Sequence, residues 1–160
     1  MKNLGLFLLL ISCIGLQSCK KEQSLKDAKA TPVHAEIPTD VACYKAMYES
    51  DTIEMKMITS KDNKITGDMT MSLYANPKKV GKIKGEFHGD TLLVDYSFYQ
   101  GADKAKIFTN PMAFLKRGDS LILGNGKIEY YFGKSYFVKG QPIDYDNVKY
   151  KLTSVDCVDK

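Results

Sequence analysis

His88 and Asp90 are the residues whose types and spacing come closest to a catalytic pair. A histidine beside a carboxylate is typical of general acid–base catalysis, in which one group moves a proton and the other orients it. The pair lies in His88-Gly89-Asp90, which is typical of a hairpin turn, and no obvious nucleophile accompanies it. A solvated turn accounts for the same residues, so we expect no catalytic residue and no enzymatic activity.

Metal, cofactor and nucleic-acid binding also lack the residues they need. The chain has two histidines, His34 and His88, too few to build a metal site with the remaining cysteines. Asp144-Tyr145-Asp146 lacks the glycine and terminal glutamate of a calcium loop. The 23 Lys and Arg against 19 Asp and Glu give a net charge of +4, which is too balanced for a nucleic-acid binder. We therefore expect no metal, no cofactor and no nucleic-acid partner.

Residues 1–18 carry the features of an export signal. A short positive start, Met1-Lys2-Asn3, precedes a mostly apolar run at residues 4–16 that is too short to cross a bilayer as a permanent helix. The run ends in Leu16-Gln17-Ser18-Cys19, which resembles the lipobox of bacterial lipoproteins, although Gln17 departs from the usual small or β-branched residue. The resemblance implies that residues 1–18 are cleaved off and that acylated Cys19 anchors the chain to a lipid bilayer.

A second cysteine competes with Cys19 for this role. Leu10-Ile11-Ser12-Cys13 fits the same pattern, but it leaves a very short apolar core and places Ile14-Gly15-Leu16 where a polar tether is expected. Cys19 is followed by the polar Lys20-Lys21-Glu22, and we therefore assign the lipid to Cys19. An ordinary cleaved secretory signal is the alternative to both. In each case the mature chain leaves the cytoplasm.

Residues 19–40 are predicted to form a lipidated, flexible tether in front of a folded domain at residues 41–160. The segment mixes lysines with aspartates and glutamates, contains Pro32 and Pro38, and has almost no large apolar side chains. Such a sequence cannot bury enough surface to fold alone. As a flexible chain, it holds the domain roughly a few tens of ångströms from the membrane.

Cys43 and Cys157 lie near the two ends of the folded domain. In an oxidising periplasm, two such cysteines are most simply joined as a disulfide. The entropy of closing so long a loop corresponds to about 5 kcal/mol as an upper figure. Two buried free thiols are the alternative.

The domain alternates apolar and polar residues with the two-residue period of half-buried strands. In residues 64–73, Ile65, Met69 and Met71 point one way while Lys64 and Asp68 point the other, and residues 81–88 and 91–99 repeat the pattern. Turn residues separate the runs. Only residues 100–105 are expected to form one helical turn, and the last strand is expected near residues 148–152.

These strands predict an all-β domain, an antiparallel up-and-down meander of about eight strands. Such a meander closes most naturally, fully or nearly, into a small barrel. The disulfide would then join the first strand to the last.

Several segments together resemble small outer-membrane lipoproteins of Bacteroidota. They are the residue 16–22 leader, Cys43-Tyr44, residues 81–92, Asp95-Tyr96-Ser97-Phe98 and Val155-Asp156-Cys157. The resemblance implies an outer-membrane location and this fold, and it carries over no catalytic residue. Lys20-Lys21-Glu22 lacks the dense acidic run associated with surface export in that lineage, so we expect the periplasmic face.

A cluster of aromatic residues is the remaining functional signal, namely Tyr130, Tyr131, Phe132, Tyr136 and Phe137. Strand alternation cannot bury all of them on one face, so Tyr130, Tyr131 and Tyr136 are the predicted binding surface, with packing within the sheet as the alternative. The nearby Lys127, Lys134 and Lys139 favour an anionic partner such as lipid head groups, with an ordinary solvated face as the alternative.

Two functions compete for this domain, with an enzyme in third place. The preferred one is a non-enzymatic envelope module that binds a protein, glycan or cell-wall partner. The alternative is a lipocalin-like carrier of a small apolar ligand, whose barrel leaves an apolar cavity. Its cavity would be lined by methionines: Met55, Met57, Met69 and Met71.

Overall fold

Ten β-strands make up the secondary structure of residues 38–158, which are the residues that the computed structural model describes. The predicted signal peptide, Cys13, Cys19 and His34 lie outside the described residues. The strands are β1 (Pro38–Tyr48), β2 (Asp51–Ser60), β3 (Lys64–Ser72), β4 (Lys79–His88), β5 (Thr91–Gln100), β6 (Asp103–Arg117), β7 (Ser120–Leu123), β8 (Ile128–Tyr131), β9 (Lys134–Phe137) and β10 (Lys151–Val155).

Eight of these strands close into an antiparallel barrel, which confirms the predicted fold class. The order around the barrel is β1-β10-β7-β6-β5-β4-β3-β2, so β10 returns between β7 and β1. The other two strands, β8 and β9, pair only with each other as a hairpin. Strands that follow one another as hairpins need only short loops. Closing the sheet into a barrel leaves fewer strand edges without a hydrogen-bonding partner.

The predicted helical turn at residues 100–105 is wrong. Gln100 ends β5 and pairs with Asp103 at the start of β6, so this stretch is a hairpin turn. Gly101 adopts the left-handed backbone conformation, with φ of 66°, which a helical turn would not allow. The last strand also begins three residues later than predicted, at Lys151.

Side chains from all around the barrel fill its interior. Tyr96, Phe114 and Leu92 are among the largest fully buried side chains, and the Tyr96 hydroxyl donates to the backbone oxygen of Met69 at 3.1 Å. The four methionines that the carrier hypothesis placed around a cavity are part of this packed core: Met55, Met57, Met69 and Met71. The interior is therefore mostly a packed core.

Two glycines of β4 allow the close approach of β5. A Cβ atom at Gly81 would lie 2.1 Å from the backbone oxygen of Ser97, and one at Gly85 would lie 1.9 Å from that of Leu93. No real side chain fits at such distances. Glycine at these positions therefore permits the strong local curvature that closing a small barrel requires.

The sulfurs of Cys43 and Cys157 lie at disulfide distance, as the sequence predicts, and their Cα atoms are 5.2 Å apart. Cys43 lies in β1 opposite Val155 of β10, and Cys157 follows that strand by two residues. The bridge thus joins the first barrel strand to the segment after the last one.

Within residues 38–158, no helix is long and apolar enough to span a membrane.

Candidate functional site

The longest connection of the described chain, residues 124–150, leaves the barrel after β7 and returns at β10. Backbone hydrogen bonds hold the two ends of this connection together. The Leu123 N–H donates to the Tyr150 carbonyl oxygen, and the N–H groups of Asn125 and Asp144 each donate to the carbonyl oxygen of the other. A Cβ atom at Gly124 would lie 2.5 Å from both Ile143 and Tyr145, so this glycine lets the returning chain pack closely on the departing one. We call residues 124–150 the connecting segment.

Polar contacts hold the returning half of the connecting segment. The Asp144 carboxylate accepts hydrogen bonds from the backbone N–H groups of Asn147 and Asp146, which lower the pKa of Asp144. Arg117, at the end of β6, lies 3.0 Å from the Asp146 carboxylate through its Nη2 atom. These contacts hold the base of the connecting segment against the barrel, and β9 in its middle lies against β6.

The middle of the connecting segment is the β8–β9 hairpin, and it exposes most of its aromatic side chains. The exposed fraction is 75% for Tyr130, 65% for Tyr131, 85% for Phe132 and 45% for Tyr136. The Tyr131 and Phe132 rings meet edge to face with centroids 4.4 Å apart. We call these four side chains the aromatic patch. It contains all three residues of the predicted binding surface.

The hairpin carries more positive than negative charge. Lys127, Lys134 and Lys139 are exposed there, against the single acidic residue Glu129. Because Tyr131 pairs with Lys134 and Glu129 pairs with Tyr136 across the hairpin, charged and aromatic side chains alternate on one face. That face carries Glu129 and Lys134 beside Tyr131 and Tyr136, while Tyr130, which pairs with Ser135, lies on the opposite face. The excess of positive charge comes from Lys127 and Lys139, which flank the hairpin.

A second feature is a pocket at the barrel end where the connecting segment leaves, which we call the mouth pocket. Its volume is ≈ 200 Å³. Its floor and walls are barrel residues, namely Met71, Lys79, Tyr96, Phe98, Asn110, Pro111, Met112 and Leu123. All of these face inward except Pro111, which pairs with the outward-facing Asp95. Its remaining wall is the connecting segment, with Gly124, Asn125, Gly126, Ile128 and Phe137. Phe137, the fifth member of the aromatic cluster, thus faces this pocket and lies outside the aromatic patch.

Lys79 is the cation of the mouth pocket. It opens β4 and lies opposite Met71 of β3 and Gln100 of β5, so it shares the inward face with the buried Met71. Its Nζ atom lies 5.2 Å from the centroid of the Phe98 ring, a cation–π distance. Lys79 was not among the predicted site residues, although it lies two residues before Gly81 and therefore shares the parity of the inward-facing residues of that strand.

His88 contacts a different carboxylate from the one that its sequence neighbourhood suggested. Its Nε2 atom lies 3.3 Å from Oε1 of Glu86, two residues earlier on the same strand face. Glu86 also pairs with Lys64, whose hydrogen bond and charge lower the pKa of the Glu86 carboxyl. The backbone oxygen of Asp90 accepts the Lys116 N–H within the turn region. His88 therefore belongs to an exposed ion-pair group on the outer barrel surface.

Within the described part of the chain, no three His, Cys, Asp or Glu side chains come together in a group that could hold a metal ion.

Comparison with known protein families, curated proteins and solved structures finds no match to this chain.

Proposed function

We propose that this chain is a non-enzymatic binding module of the cell envelope. In this proposal, acylated Cys19 anchors it to the outer membrane on the periplasmic face, and the aromatic patch docks an acidic partner protein. The barrel is the rigid support, and the β8–β9 hairpin is the contact surface.

The observation that carries the proposal is the exposure of four aromatic side chains on a hairpin outside the barrel. Exposing large apolar rings to water is unfavourable, and the barrel core is complete without them. Tyrosine rings supply contact area with few rotatable bonds, and their hydroxyls orient a polar partner, which is why tyrosine is common at protein interfaces.

The charge of the hairpin favours an acidic partner. Lys127, Lys134 and Lys139 surround the patch with Glu129 as their only acidic neighbour on the hairpin. Complementary charge at the rim of an interface speeds association and rejects unsuitable partners. Binding should therefore weaken as the salt concentration rises.

The packed interior supports this function over the carrier of a small apolar ligand. Pockets for drug-sized ligands usually measure about 300 to 1,000 Å³. The pocket at the barrel mouth measures ≈ 200 Å³. A pocket of ≈ 570 Å³ beside the Cys43–Cys157 bridge reaches that range and is lined in part by Met55 and Met69, but it is open to solvent and bounded by the charged side chains of Lys45, Glu54 and Asp68, so it is not an enclosed apolar cavity.

Site-specific photo-crosslinking in the native envelope tests the proposal. A photoreactive phenylalanine analogue at Phe132 should give a protein adduct, whereas the same analogue at Lys61, in the exposed turn between β2 and β3, should not. The adduct should disappear when Tyr130 and Tyr131 are both changed to Ser, and should diminish at high salt.

Three results would reject this docking surface. They are identical adducts from positions 132 and 61, an adduct that survives the double substitution, and lipid adducts alone at position 132. The last result would indicate that the hairpin contacts a membrane instead of a protein.

A further inference from the structure

We propose that the mouth pocket binds a small amphiphilic carboxylate. The carboxylate would pair with the Nζ atom of Lys79, and the short apolar tail would lie among Met71, Met112 and Phe137. This inference does not depend on the docking function of the aromatic patch.

The mouth pocket contains a cationic side chain, that of Lys79. Lys79 shares the inward face of β4, and none of the ion pairs that the structure gives for residues 38–158 involves it. By contrast, the outward-facing Lys82 on the same strand pairs with Asp68. Partial removal of an ammonium group from water is unfavourable unless an anion or an aromatic face compensates. The Phe98 ring supplies only part of that compensation, so an anion is the ligand that the position favours.

Two asparagines line the mouth pocket together with Lys79. They are Asn110 and Asn125, and each carries a side-chain amide. Asn110 lies opposite the inward-facing Tyr96 in the β5–β6 pairing, so it is on the inner face of the barrel. An amide N–H donor next to an ammonium group suits the two oxygens of a carboxylate, which accepts several hydrogen bonds.

The rest of the mouth pocket is small and mostly apolar. A volume of ≈ 200 Å³ holds roughly six or seven groups of the size of a water molecule, at about 30 Å³ each. Met71, Met112, Leu123, Ile128 and Phe137 supply the apolar surface. Methionine adapts to tails of different shape because its chain is unbranched. A carboxylate with a tail of about five carbons matches this space, and long fatty acids do not.

The pocket also connects the ligand to the hairpin. Ile128 begins β8 and Phe137 ends β9, and these two residues pair across the hairpin root. A bound tail would therefore contact the base of the element that carries the aromatic patch.

Hexanoate is a suitable probe, and the methionine methyl groups report where it binds. The experiment uses the complete chain carrying Cys19→Ser to prevent acylation, labelled with ¹³C at the methionine methyls. Hexanoate should shift the resonances of Met71 and Met112, which line the pocket, and should leave that of Met57, which does not, unchanged. Hexanol should bind at least about tenfold more weakly, because it lacks the charge.

Two matched lysine substitutions on β4 identify the role of charge. Lys79→Gln should weaken hexanoate binding about tenfold or more, while Lys82→Gln, on the outer face, should leave it unchanged. Both variants should keep the methionine spectrum of the folded barrel.

Four results would overturn the proposal. They are no shift at millimolar hexanoate, equal shifts at all methionines, equal affinity for hexanol, and unaltered affinity in Lys79→Gln. If Lys79→Gln fails to fold, the comparison of hexanoate with hexanol in the unsubstituted lysine background still decides the question.

Discussion

The Tyr150 hydroxyl donates a hydrogen bond to Oδ2 of Asp51, although 99 residues separate the two in the chain. Asp51 opens β2, and its other carboxylate oxygen accepts the backbone N–H of Tyr74 at 2.6 Å. The Tyr150 ring also meets that of Tyr48 edge to face, with centroids 6.2 Å apart. This carboxylate therefore ties the end of the connecting segment to two hairpins of the barrel.

Removing the Tyr150 hydroxyl should destabilise the barrel without changing its fold. Tyr150→Phe keeps the ring and its contact with Tyr48 but removes the hydrogen bond to Asp51, and we expect the thermal midpoint to fall by about 3 °C. Calorimetry measures the change. Tyr74→Phe is the control, because the exposed Tyr74 contacts Asp51 only through its backbone. Equal midpoints for the two variants would show that the Tyr150 hydroxyl contributes nothing.

Alkaline pH should weaken the fold partly through Tyr150. Burial, the hydrogen bond to Asp51 and its negative charge raise the pKa of Tyr150 to about 12, from an ordinary value of 10.0. The folded state thus keeps this proton longer than the unfolded state does. The contribution of the Tyr150 hydroxyl to the free energy of unfolding is fully present below about pH 10, and it is lost as the pH rises through about 12.

Urea denaturation at about pH 9 and about pH 11 tests this dependence. The midpoint should fall less between these pH values in Tyr150→Phe than in the parent chain, because the variant has no proton to lose at that position. Tyr74→Phe is again the control. An equal fall of the urea midpoint in Tyr150→Phe and in the parent chain would show that Tyr150 does not cause the pH dependence.

The Cys43–Cys157 bridge should contribute substantially to stability. It spans 114 residues of sequence, and the entropy of closing such a loop in the unfolded chain corresponds to a loss of up to about 5 kcal/mol in Cys43→Ser/Cys157→Ser. Urea midpoints with and without a reducing agent measure the effect. Reduction should lower the midpoint of the parent chain and leave that of the double variant unchanged. If the reducing agent left the urea midpoint of the parent chain unchanged, the bridge would not contribute to stability.

Gly85 should tolerate no side chain. A methyl group there would lie 1.9 Å from the Leu93 backbone oxygen, so Gly85→Ala must push β4 and β5 apart. We expect a loss of about 2 to 3 kcal/mol in the free energy of unfolding, which chemical denaturation measures. Lys84→Ala, one residue earlier on the outer face, should change it by less than about 0.5 kcal/mol. Similar losses in both variants would argue against a role for the close strand approach.

The aromatic patch should be dispensable for folding. The Phe132 side chain is 85% exposed, so Phe132→Ser should change the thermal midpoint by no more than about 2 °C. Phe114→Ser, at a fully buried core position, is the contrasting variant and should prevent stable folding. A large destabilisation by Phe132→Ser would assign the patch a structural role.

Much of the barrel could be predicted from local pattern. The alternation around Ile65, Met69 and Met71 reports which side chains face inward, because successive residues of a strand point to opposite faces. Glycines in the turns, such as Gly89 and Gly118, adopt the positive φ that their hairpins require. Cys43 and Cys157 were the only cysteines left for the domain once the leader pair was assigned.

The arrangement of the chain's end depended on contacts that local pattern does not record. Nothing in the local sequence of residues 128–137 or 151–155 specifies their strand partners, yet β8 and β9 form a separate hairpin whereas β10 enters the barrel between β1 and β7. The same limit applies to Lys79, whose position over Phe98 depends on the pairing of β4 with β5. Sequence alone thus determined the strands and the direction of their side chains, since these follow from neighbouring residues. Only the tertiary structure decided the strand partners, the separate hairpin and the pocket, because these arise from packing between segments that are distant in the chain.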